Sequence, residues 1–75
     1  MDMSEIIKKK IKDKFGINKK INDNFLLGKH LDADSLDIME LIIEIEDEFH
    51  IQIDDMLIDE KTKVGELIKI VENSK

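Results

Sequence analysis

Seventy-five residues make one small domain, below the roughly 100–150 at which domains are commonest, and leave no room for a two-domain enzyme. With no cysteine, the chain has no disulfide, no thiolate metal site and no thiol nucleophile of its own. Twelve lysines, no arginine and 18 acidic residues give a net charge of −6, which argues against nucleic acid and anionic membranes and for basic protein partners.

A first helix is predicted over about Ser4 to Phe15, where Met3, Ile7, Ile11 and Phe15 recur every fourth residue and lysines take much of the remaining surface. Asp2 or Ser4 can cap its start, and Gly16 stops it by reaching the left-handed conformation. From Gly16 to Asp34 the asparagines and Gly28 predict a long ordered loop, pinned to the core by Ile21, Phe25, Leu26 and Leu31. A second helix is predicted over Ser35 to His50 with Asp34 as N-cap and Asp37 near the positive end of its dipole. Ile51 to Asp55 opens a linker with room for one helical turn around Asp55 to Ile58. A last helix is predicted to follow Thr62 as N-cap and to run to about Glu72 on Val64, Leu67, Ile68 and Val71. The expected fold is therefore all-α: a small antiparallel bundle of three main helices plus a short fourth, with a long loop between the first two, in a single domain over 1–75. No apolar run approaches the ~20 residues of a membrane span, and the opening Met-Asp-Met-Ser-Glu lacks the layout of a signal peptide, so a cytoplasmic protein without membrane insertion is expected.

The second helix carries more apolar surface than one packed side requires. At 100° per residue, Ile38, Leu41, Ile42, Ile45 and Phe49 share an arc of about 100° that should face the core. Asp37, Glu40, Glu44, Asp47 and Glu48 gather opposite, on what reads as the wet face. On the flank between lie Leu36, Met39 and Ile43, with Glu46 among them. Those three hydrophobes predict an exposed apolar strip bordered by carboxylates, suited to transient docking on partners with basic rims. The plainer alternative is that the long loop covers Met39 and Ile43 and the acidic face serves solubility.

At the start of this helix, Leu31-Asp32-Ala33-Asp34-Ser35-Leu36 resembles the attachment signature of acyl carrier proteins, in which Asp-Ser-Leu opens the second helix and the serine holds 4′-phosphopantetheine. Asp37, Glu40, Leu41, Glu46, Asp47, Glu48 and Phe49 match the family's acidic second helix. Ile53-Asp54-Asp55, the Phe15-Gly16-Ile17 turn, the total length and the last helix agree as well. Two residues depart from the pattern: Asp32 stands where the family usually has glycine, and Asp54 where proline is common. Aspartate tolerates the left-handed conformation better than most residues, so the turn can survive.

The resemblance implies a carrier rather than an enzyme. Its covalent 4′-phosphopantetheine would be attached to Ser35, with Asp34 and Leu36 completing the motif. A phosphodiester there would lie at a helix N-terminus, where free amides and the dipole favour negative charge. The partners implied are a phosphopantetheinyl transferase and the acyl-transfer enzymes of fatty-acid synthesis or another pathway, with basic docking surfaces meeting a monomer. Leu36, Asp37, Met39, Glu40, Ile43, Glu44, Glu46 and Asp47 are the expected docking residues, and Ile42, Ile45 and Phe49 the expected shelter for an acyl chain. Among carriers, Asp-Ser-Leu with an acidic second helix looks most like the stand-alone fatty-acid type. A polyketide or other specialised carrier is the alternative within the family. Outside it, the alternative is an acidic helical adaptor or divalent-ion buffer without covalent cargo.

Other constellations fail on chemistry. His30, Asp32 and Ser35 are neighbours in sequence, which does not supply the geometry of a hydrolase triad. A calcium loop starting at Asp32 would need glycine at Asp37 and glutamate at Ile43. His50 reads as a surface residue near a helix C-terminus, and Lys8-Lys9-Lys10 as a solvated helix face. No metal site is predicted.

Overall fold

The computed structural model describes residues 2–74. Three α-helices account for its regular structure: α1 (Met3–Phe15), α2 (Ser35–Phe49) and α3 (Val64–Asn73), with one 3₁₀ turn at Asp55–Leu57 before α3. Among the described residues the β pairing amounts to an isolated antiparallel bridge between Leu26 and Lys63. No helix of these residues is long and apolar enough to cross a membrane.

Helix α1 starts one residue before the predicted Ser4, because Asp2 is the residue that caps it, its carboxylate accepting the Glu5 N–H at 2.9 Å. Gly16 ends it at φ 63° with its N–H on the Lys12 carbonyl. Ile7 and Ile11 are fully buried where α1 packs against α2 and α3, while Met3 and Phe15 lie at the edge of the core. Helix α2 stops at Phe49 rather than at the predicted His50. His50 turns left-handed at φ 55°, and its N–H and that of Ile51 both return to the Glu46 carbonyl. Val64, Leu67, Ile68 and Val71 form the buried face of α3.

Two expectations are corrected. Thr62 does not cap α3: its buried hydroxyl accepts the Asp59 N–H at 3.0 Å, which commits it to the preceding turn. The N-cap is Lys63, whose N–H is taken by the Glu66 carboxylate at 2.9 Å. In the long loop, Leu27 rather than Leu26 is fully buried, alongside Ile21 and Leu31, because Leu26 lies in the bridge to Lys63.

That bridge is part of a seam the sequence did not announce. Residues 23–28 run beside residues 60–65, with Leu27 N–H on the Thr62 carbonyl (3.0 Å), Gly28 N–H on Glu60 (2.9 Å), Val64 N–H on Phe25 (2.9 Å) and Gly65 N–H on Asp23 (2.9 Å). The seam satisfies backbone groups that a partly buried loop would otherwise leave unpaired. It also holds the approach to α2 against the segment that precedes α3.

Candidate functional site

The approach to Ser35 alternates buried and exposed residues. Leu31 and Ala33 are buried, and Asp32 between them is exposed and left-handed at φ 54°, so the turn does form without glycine. Asp34 then closes a reciprocal cap: its carboxylate accepts the Asp37 N–H at 2.9 Å, and the Asp37 carboxylate accepts the Asp34 N–H at 3.2 Å. This fixes the first turn of α2 and places Ser35 at the first helical position, exposed. The N–H groups of Ser35 and Leu36 have no acceptor within the helix, as in any first turn, so the serine hydroxyl stands at a partially positive helix end.

Beside Ser35 opens a cleft of about 420 Å³. Ile38, Met39 and Ile42 form its α2 wall, and Asp55 with Ile58 to Lys61 the other. Of the three residues expected to shelter a chain, only Ile42 lines this space. Ile45 is fully buried in the core and Phe49 packs at the core's edge. Ile38 and Met39 take their place, and the helical spacing contained that signal: three and four residues after Ser35, they share its side of α2. Ile58, across the cleft, had no such signal in the sequence.

The apolar strip is open to solvent. Leu36 is 64% exposed and Met39 and Ile43 are each 50% exposed, so the loop does not cover them. Met56 and Leu57 on the 3₁₀ turn are exposed too, a pair with no periodic signal among the surrounding aspartates. Asp47 is exposed.

The acidic face is less free than the helical wheel suggested. Lys14 of α1 lies 3.2 Å from Glu40 and 2.9 Å from Glu44, and Lys10 lies 3.2 Å from Glu48. The hydrogen bond to Glu44 raises the Lys14 ammonium above its ordinary 10.5, against the opposing effect of burial. Lys8 pairs with Asp23, so the lysine run is not simply solvated. Glu46 is half-buried and accepts the Ile53 N–H at 2.8 Å, tying α2 to the segment after it.

His30 takes no part at Ser35. Its Nδ1 accepts the Leu26 N–H at 2.8 Å and its ring stacks on Phe25 at 5.2 Å, so that nitrogen has no lone pair to offer as a general base.

The profile of the phosphopantetheine attachment-site family matches residues 5–71. An acyl carrier protein of Sinorhizobium fredii is 34% identical over 74 residues, covering 97% of this chain and 95% of its own. One from Buchnera aphidicola is 44% identical over 66 residues, 87% of this chain and 85% of its own. A mitochondrial acyl carrier protein of Saccharomyces cerevisiae is 43% identical over 54 residues, 72% of this chain and 43% of its own.

Proposed function

The chain belongs to the acyl carrier proteins, and on that premise we propose that Ser35 is its attachment residue and fatty-acid synthesis its pathway. Proteins of this family are carriers rather than enzymes. They bear 4′-phosphopantetheine covalently and are served by a phosphopantetheinyl transferase and by acyl-transfer enzymes. When attached, the group supplies the thiol that this cysteine-free chain lacks, on which acyl groups are carried as thioesters.

The residues present fit that group. A transferase needs a hydroxyl it can reach, and Ser35 is exposed at the surface. A phosphodiester there would be favoured by the free first-turn amides of α2 and by the dipole behind them. Asp34 and Asp37 are occupied with capping each other's backbone, which holds the helix start rigid. Ile38, Met39, Ile42 and Ile58 offer apolar contact along the adjoining cleft. The exposed serine at the capped start of α2, beside a cleft whose α2 wall is apolar, is the observation that carries this reading.

Leu36, Met39 and Ile43, with Asp37, Glu40, Glu44, Glu46 and Asp47 around them, form the surface we assign to docking. Apolar contact supplies affinity there and the carboxylates steer basic partners. The 3₁₀ turn at Asp55–Leu57 stands where the short fourth helix of the bundle belongs in this reading. The unit is one carrier domain over 1–75, working as a monomer in the cytoplasm.

The test is incubation with coenzyme A and a phosphopantetheinyl transferase active on other carriers. Intact-protein mass should increase by one prosthetic group, and Ser35→Ala should abolish the increase. An unmodified wild type, or a modified Ser35→Ala, refutes the assignment. The thioesters found on protein isolated from its own cell would then distinguish fatty-acid from polyketide cargo.

A further inference from the structure

Glu40 and Glu44 stand one turn apart on α2, and the α1 side chain that faces both is Lys14. Its Nζ donates to Glu40 Oε1 at 3.2 Å and to Glu44 Oε2 at 2.9 Å. The Lys14 side chain is only 17% exposed, whereas both carboxylates are open to solvent. The cation is thus lodged between the helices, and the two anions are pinned from beneath. We propose that Lys14 is a specificity-determining residue for docking: it partly masks Glu40 and Glu44 by offsetting their charge and holding one oxygen of each, so that a basic partner meets their full negative charge only by displacing it. The proposal rests on the docking role assigned above to Glu40 and Glu44.

Three observations converge on masking rather than an incidental surface contact. Among the described residues, Lys14 is the lysine shared by two carboxylates, while Lys8 and Lys10 each hold one. The Lys10–Glu48 pair extends the same seam a turn further, so three of the acidic residues on the outer side of α2 face lysines of α1. Glu40 and Glu44 are also like charges at i, i+4, which repel each other unless a cation sits between them. Of the carboxylates next to the apolar strip, Asp47 alone is exposed and free of both a lysine partner and a backbone N–H among the described residues. A partner without the means to displace Lys14 is therefore directed to Asp47 beside Ile43.

Lys14→Met keeps the apolar stem and removes the charge. Two measurements on the full chain test the proposal: the transferase KM for the carrier at low and high salt, and amide chemical shifts of α2 during titration with an octalysine peptide. Masking predicts a KM lowered about two- to fivefold at low salt, the scale of an exposed ion pair, with kcat unchanged and a steeper salt dependence. The octalysine-induced shifts at Glu40 and Glu44 should grow. Both changes should vanish when Lys14→Met is made in a Glu40→Gln, Glu44→Gln background. An unchanged or raised KM with unchanged octalysine shifts overturns the proposal, as does an effect that survives in the Gln background. If the wild type is not modified at all, the carrier reading fails, and the octalysine titration still decides whether Lys14 masks the pair.

Discussion

Gly28 and Glu60 approach so closely that a β-carbon on Gly28 would lie 2.6 Å from the Glu60 Cβ, while the Gly28 N–H donates to the Glu60 carbonyl at 2.9 Å. The contact joins the loop before Ser35 to the far wall of the cleft. Gly28→Ala must push the two segments apart, and overpacking of this kind costs about 1–3 kcal/mol. Urea unfolding should show a lower midpoint with an unchanged slope. Gly16→Ala is the control: nothing lies within 4 Å of its added carbon, so any loss there comes from the left-handed backbone alone.

Removing the Asp34 carboxylate unties the start of α2. Asp34→Ala should destabilise the fold by about 1 kcal/mol, the usual value of an N-cap, and Asp34→Asn by less. Hydrogen exchange at the Asp37 amide should accelerate in the alanine variant, because its acceptor at 2.9 Å is gone.

Alkaline stability reports on the Lys14 pairing. Its folded pKa is raised above 10.5, the first cause being its hydrogen bond to Glu44. A raised cation binds its proton more tightly in the folded state, so its contribution to stability is complete below the unfolded value of about 10.4. It disappears as pH climbs through the folded value. Wild-type melting temperature should therefore fall more steeply than that of Lys14→Met above pH ~10.5. Parallel curves would refute this.

Ile43 and Ile45 are two residues apart on α2 and should behave oppositely. Ile45 is fully buried, and Ile45→Ala should cost about 2–5 kcal/mol, enough to unfold much of a domain this small. Ile43 is half exposed, so Ile43→Ala should leave the thermal midpoint nearly unchanged and raise the transferase KM. Circular dichroism and steady-state kinetics separate the two.

Glu46, one of the residues proposed above for docking, is also part of the scaffold. Glu46→Ala removes the acceptor of the Ile53 N–H and should cost about 1–3 kcal/mol, the penalty of an unsatisfied, partly buried donor. Faster exchange at the Ile53 amide would identify the cause.

Local chemistry was legible in the sequence wherever one residue acts on its immediate neighbours. Asp2 and Asp34 start helices through their carboxylates, Gly16 ends one because it lacks a β-carbon, and Asp32 takes the left-handed turn that aspartate permits. The core stripes of all three helices followed from spacing alone. What the sequence did not carry was any relation between distant segments. Thr62 looks like a cap until Asp59 claims its hydroxyl. Leu26 and Leu27 are indistinguishable until the pairing with residues 60–65 turns one inward. A helical wheel of α2 shows Glu40 and Glu44 without a partner because it contains no α1, and it cannot place Ile58 across from Ile42.

The seam between residues 23–28 and 60–65 bears on how this protein is made. Those hydrogen bonds need residues 60–65, which are synthesised well after the loop and Ser35, so the loop cannot complete its pairing until they have emerged. The wall facing Ser35 across the cleft arrives with that same late stretch. Assembly is thereby ordered in time: the serine emerges from synthesis before the surface around it can be completed.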